Sequence, residues 1–141
     1  MVLSLKSVKG RHVALLGLTY KEGTDTLRRS WSVELAQWLS KKGARVQAYD
    51  WQLTKLPKEL SRIISMQTNF DAALQDCDAL VVGTDHPGIK DLQQQTIRRL
   101  KSPVIIDPNG SIDRSIINDI SPIEYCSVGY ALSRKKGALN G

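Results

Sequence analysis

The chain has 141 residues, 41% hydrophobic and 24% charged, with a net charge of +6 and an isoelectric point near 9.5. That length suits one domain with a single sizeable core, and no apolar run approaches the roughly 20 residues that span a bilayer, so a membrane is not expected and the cytoplasm is. The positive charge is dispersed, in pairs at 41–42 and 98–99 and a triplet at 134–136, aromatics are only 6%, and no nucleic-acid-binding motif is present, so nucleic acid is not expected as a partner.

Taken in chain order, residues 1–10 read as a linker remnant. Residues 11–17, "RHVALLG", read as a buried strand, a continuous apolar run closed by glycine. A helix is expected over 30–42, capped by Ser30 or Ser32, with Val33, Leu35, Ala36 and Leu39 on its buried side and Gly43 as its stop. Residues 44–50, "ARVQAYD", form a second strand ending in Asp50. The stretch 51–68 reads as an irregular turn followed by a short strand around Ile63 to Met66. "NFDAALQDC" makes a short helix, and 78–84, "DALVVGT", another strand. "IKDLQQQTIRRLK" is amphipathic, with Ile89, Leu92, Thr96 and Leu100 on one face. A strand over 102–110 ends in Asp107 and a turn, a weak helix lies near 113–118, and a last strand near 123–128 completes the fold. Residues 133–141 are expected to form a disordered tail. Strands alternating with helices over short connections predict one Rossmann-like, doubly wound α/β domain over 11–132, with a mainly parallel sheet in a three-layer α/β/α arrangement.

Cys77 and Cys126 stand far apart and outside any ligand spacing, and read as small apolar residues at strand edges rather than as a disulfide or metal site.

In a doubly wound sheet, ligands bind beyond the carboxyl ends of the strands, where strand order reverses. Four polar stretches fall at that edge: "GLTYKEGTDTLRR", Asp50, "TDHPG" and "DPNG". The first has neither the G-x-G-x-x-G fingerprint nor a Walker loop, because its lysine precedes the second glycine. An anion there would be met by side chains, Lys21 as a point charge and Arg28 or Arg29 as a bidentate partner. Plainer alternatives stand beside this. Lys21 is otherwise a solvated loop residue, Asp25 an internal brace of its loop, and one of the two arginines a surface charge. His86 is more simply a loop residue than a ligand, and Asp50 either binds a ribose or caps the turn after it.

"VALLGLTYKEGTDTLRRS" resembles the signature of the C-terminal domain of the UDP-glucose/GDP-mannose dehydrogenase family, an apolar strand, then G-L-[AST]-[FY]-K, then T-x-D/D-x-R-x-S. "KGARVQAYDW", "ALQDCDALVVGTDHPGIKDL" and "PVIIDPNG" are similar to three further segments of that family, in the same order, over roughly residues 10 to 132. The resemblance implies the nucleotide-sugar-binding domain of an enzyme that oxidises the C6 alcohol of a UDP- or GDP-sugar in two NAD-dependent steps. NAD and a catalytic cysteine would be held mainly by an N-terminal domain, a central helix would mediate a homodimer, and this domain would cap the active site. Carried over by motif, Tyr20 and Lys21 contact the sugar nucleotide and Arg28 reaches the NAD, while this chain holds no catalytic residue of its own. The chain departs from the pattern at Trp31, where the family has proline, and near Asn109, where it lacks an arginine. Those departures keep open a second class, a binding or interaction module that kept the fold and lost the site.

Overall fold

The structure, a computed structural model, describes residues 9–18, 30–51, 53, 55–83, 87–101, 104–118, 120, 123–127 and 130–134. Its first strand, β1 (His12–Leu16), is the apolar run expected at the start of the domain. Val13, Ala14, Leu15 and Leu16 are fully buried, because in a parallel sheet both faces of a central strand are covered. Strand β2 (Arg45–Tyr49) pairs with it in parallel, His12 beside Arg45 and Leu16 beside Tyr49. Strands β3 (Ile64–Met66), β4 (Ala79–Val82), β5 (Val104–Ile106) and β6 (Ile123–Ser127) complete six parallel strands, and β7 (Tyr130–Arg134) runs antiparallel to β6. The sheet order β3-β2-β1-β4-β5-β6-β7 contains the doubly wound order 3-2-1-4-5-6, whose switch point lies between β1 and β4.

Alternation along the strands divides the core into two layers. Ala14, Leu16, Leu80, Val82 and Ile105 face one side with Ala73, Leu74, Ile97 and Leu100. Val13, Leu15, Ala48, Ala79 and Val81 face the other with Ala36 and Leu39. The second layer is closed by α1 (Trp31–Lys41). Ser30 caps it, accepting a hydrogen bond from the Val33 N–H at 3.3 Å, and Glu34 and Lys41 complement the dipole at its two ends. It stops where Gly43 adopts φ +91. There Gly43 N–H donates to Ser40 and Ala44 N–H to Leu39, both at 3.0 Å, the 5→2 and 6→1 bonds of a Schellman motif.

Three features differ from the sequence expectations. The buried arc of α1 takes in Ser32 beside Val33, Ala36 and Leu39, while Leu35 is half-buried and packs against the same core layer. The stretch 87–100 buries Ile89, Leu92, Thr96 and Leu100 as expected, but as a 3-10 turn (Pro87–Asp91) followed by a one-turn helix (Gln94–Ile97), separated by extended backbone at Gln93. Short helices Lys58–Ser61 and Phe70–Leu74 supply the connections around β3. Finally, β7 was not expected, and it takes in Ser133 and Arg134, which the sequence assigns to the tail. Residues 135–141 lie outside the described residues. The two-residue, glycine-containing separation between Ser127 and Tyr130 is the hairpin signal that would have found it.

Candidate functional site

At the switch point the ends of β1 and β4 are held together by backbone and small side chains. Gly17 N–H donates to Tyr49 O at 2.8 Å and Gly83 N–H to Leu16 O at 2.7 Å. Gly17 has φ +91, a left-handed turn that glycine makes without strain. Gly83 lies so close to the Ser32 hydroxyl and the Gly17 carbonyl that a Cβ would overlap both. The first turn of α1 is thus wedged between the two strand ends, with the Ser32 hydroxyl buried and without a hydrogen-bond partner among the described residues.

The peptide of Leu18 is gripped from both sides. Its N–H donates to Asp50 Oδ2 at 2.6 Å, and its carbonyl accepts from the Ser30 hydroxyl. Leu18 and Ser30 flank residues 19–29, so one short bond ties the two stems of the charged segment together beside the N-terminus of α1. Ser30 does this while also capping the helix. Because the Ser30 side chain is 3% exposed and Asp50 4% exposed, water competes poorly for these bonds, and charge-assisted ones such as Asp50's contribute about 1.5–3 kcal/mol. The bond from Leu18 to Asp50 crosses from the exit of β1 to the end of β2.

Asp107, at the end of β5, is fully buried. Its carboxylate accepts from Ser111 N–H at 3.0 Å, Ile112 N–H at 2.9 Å and the Tyr125 hydroxyl at 2.8 Å. Burial, then the hydrogen bond to Asp107 and its negative charge, push the Tyr125 hydroxyl up to about 12. This is a closed brace for the "DPNGSI" turn, with its acceptor directed into the protein.

An aromatic group not singled out in the sequence joins the exits of β2 and β4. Tyr49, Trp51 and Phe70 contact one another edge to face at 5.4–5.5 Å, and the Trp51 indole lies against Gly88, where any Cβ would meet it. Its sequence signal was a tryptophan directly after Asp50, the residue that follows β2.

Tyr20, Lys21 and Arg28 lie outside the described residues, as do Asp25, Arg29, Thr84 and His86. Among the described residues, Asp50 and Asp107 do reach the carboxyl edge, but as structural acceptors. Cys77 is buried, and burial together with Asp78 and Asp76 pushes its thiol up to about 12, which makes it a poor nucleophile near neutrality. Cys126 is free and exposed within β6. No group of three metal-ligating side chains occurs among the described residues, and no helix among them is long and apolar enough to cross a membrane. Two grooves of ≈ 420 Å³ flank the edge strand β3, one containing Arg45 and Arg62, the other Lys55 and Met66.

The described residues do not fit a dinucleotide held in the usual Rossmann manner. The turn after β1 lacks the glycine fingerprint, and the acid at the end of β2, which would bind a ribose there, already accepts the Leu18 N–H at Oδ2.

The chain matches the UDP-glucose/GDP-mannose dehydrogenase family, UDP binding domain, over residues 14–114. A UDP-glucose 6-dehydrogenase of Rickettsia prowazekii is 36% identical over 127 residues, covering 86% of this chain and 29% of that protein. UDP-glucose 6-dehydrogenase TuaD of Bacillus subtilis is 35% identical over 103 residues, covering 72% and 22%. The crystal structure of an NDP-N-acetyl-D-galactosaminuronic acid dehydrogenase from Methanosarcina mazei Go1 superimposes with a TM-score of 0.74 at 23% identity, over 95% of this chain and 27% of that one. The chain thus spans less than a third of the length of these curated relatives.

Proposed function

The chain belongs to the UDP-glucose/GDP-mannose dehydrogenase family, and we propose that it is the substrate-capping domain of an NAD-dependent nucleotide-sugar 6-dehydrogenase. In this reading Tyr20 and Lys21 contact a UDP- or GDP-sugar and Arg28 reaches the NAD. The observation that carries it is the double grip on Leu18 by Asp50 and Ser30. It fixes both stems of the segment bearing these three residues at the switch point, next to a helix N-terminus whose dipole favours a diphosphate.

NAD, which accepts hydride in the chemistry the family name implies, would be held mainly by another domain. The Rickettsia relative, of which this chain covers 29%, has length for one. This chain's own part is to bind and orient the nucleotide and to close the site against water. Alone it should not turn over: hydride transfer needs the two reactants in near-attack geometry, an effect that supplies roughly 7–11 kcal/mol, and Cys77 is held as a thiol. Incubated with NAD and a panel of UDP- and GDP-sugars, the pure chain should give no NADH absorbance above a protein-free control. Turnover that survives substitution of both cysteines contradicts the capping role.

Titration of the chain with UDP-glucose, followed by NMR, tests the binding directly. Half a site buries little of its ligand, so the expected affinity is about millimolar or weaker, with shifts clustered in residues 17–30 and lost in Lys21→Ala. The missing arginine near Asn109 favours a second reading, a module that kept the fold and lost the site. Absence of shifts at saturating ligand, or shifts clustered elsewhere, selects it.

A further inference from the structure

The outer face of α1 carries apolar surface that nothing in the chain's described residues covers. Trp31 is 43% exposed and Trp38 39% exposed, and among the described residues these are the large apolar side chains that stand out into solvent. With the half-buried Leu35 between them, they occupy positions i, i+4 and i+7, which form a single stripe along a helix. Lys42 extends the stripe by one more turn, its ammonium 5.8 Å above the Trp38 ring. Isolated exposed apolar residues are ordinary, but two tryptophans aligned on one helix mark a contact surface.

We propose that this face binds the same face of a second copy of the chain, the two α1 helices running antiparallel about a twofold axis. The charge pattern singles out that occupant. Along one flank of the stripe lie Glu34, in the first turn, and Lys41, in the last. In a twofold antiparallel pair each residue meets its counterpart in reverse order and on the same flank. One axis then sets Trp31 beside Lys42 of the second copy and Leu35 beside Trp38, while Glu34 falls within a turn of the opposing Lys41. The tryptophans meet cation and aliphatic partners of the kind Trp38 already has in its own chain, unlike charges face each other, and the helix dipoles oppose. A parallel pair, whose twofold axis runs along the helices, would set the Glu34–Lys41 flank of one copy against the opposite flank of the other and leave these charges without each other as partners. The helix has 11 residues, about 16 Å of contact at 1.5 Å per residue, so the interface is small and the dimer weak.

Sedimentation velocity of the full chain from about 10 to 500 µM is the test, with urea melts confirming that each variant folds. Wild type is expected to shift from monomer towards dimer over this range. Trp31→Gln combined with Trp38→Gln should weaken association at least about tenfold, as removal of central aromatic anchors does. Glu34→Lys should weaken it by a smaller factor, and Glu34→Lys with Lys41→Glu should restore it, since the swap repairs the contact only between antiparallel copies. The two positions are two turns apart within one helix, so their own chain does not couple them. A chain that stays monomeric throughout, a dimer that survives loss of both tryptophans, or a charge swap without recovery overturns the proposal.

Discussion

Asp50 and Asp107 stand at the same edge of the same sheet, each the first residue after a parallel strand and each buried, yet they act at different range. Asp107 gathers donors from its own turn and from the neighbouring β6, making a closed three-donor brace. Asp50 reaches across to a residue 32 positions earlier and fixes the exit of β1. The half of the edge formed by β5 and β6 is therefore built for rigidity. The half formed by β1 and β2 anchors the stems of a polar segment, at Leu18 and Ser30. A buried carboxylate at a strand end, by itself, does not mark a ligand site; where its donors come from distinguishes the two halves.

Removing Asp107 should break the first half most severely. Asp107→Ala leaves two backbone N–H groups and a tyrosine hydroxyl without their acceptor, and a buried group so stranded costs about 1–3 kcal/mol. The expected loss is about 3–5 kcal/mol in urea denaturation. Asp50→Ala should cost less, about 1–3 kcal/mol, and its signature is local: amide hydrogen exchange should accelerate at Leu18 and stay unchanged at Ser111 and Ile112. Equal losses for the two variants, or exchange at all three amides rising together, would erase the distinction.

The smallest effect sharpens the description of the brace. Tyr125→Phe removes one donor and leaves Asp107 with its two backbone bonds, at a cost of about 1 kcal/mol. Its pH dependence has a definite sign. Folding raises the Tyr125 hydroxyl from 10.0 to about 12, so between those values the unfolded chain releases a proton that the folded chain keeps. Ionisation then favours unfolding, and the contribution is complete below pH 10 and lost as pH rises towards 12. Cys77, raised from 9.0 to about 12, acts in the same direction from a lower starting point. The difference in stability between wild type and Tyr125→Phe should therefore shrink from pH 10 to 12, and a difference that grows contradicts the Asp107–Tyr125 bond.

Much of this was legible in the sequence where the signal is local. The runs that became β1 and β4 are almost continuously apolar, β2 alternates polar and apolar residues, and Ser30 and Gly43 bracket α1 with residues whose cap chemistry is specific. The stretch 87–100 misled because its four apolar positions match a helical face, whereas Pro87-Gly88 at its start and extended Gln93 allow two short turns to bury the same side chains. β7 carries little apolar alternation in "YALSR" and owes its strand to the open edge of β6. The role of Asp50 was out of reach for another reason. Its partner is near only because β1 and β2 are neighbours in the sheet, a fact of topology that no local pattern encodes. Ser30 was readable as a cap, but its second bond, to Leu18, depends on the path of the chain between them.

The central claim is that the grip on Leu18 prepares residues 19–29 to receive a nucleotide. The most direct measurement is the UDP affinity of wild type, Asp50→Ala and Tyr125→Phe, obtained side by side from NMR titrations at a temperature where all three are folded. Asp50→Ala should weaken binding at least about fivefold, a loss of roughly 1 kcal/mol of preorganisation, and Tyr125→Phe should leave it unchanged. Affinities equal in all three chains, or weakened alike in both variants, would contradict it.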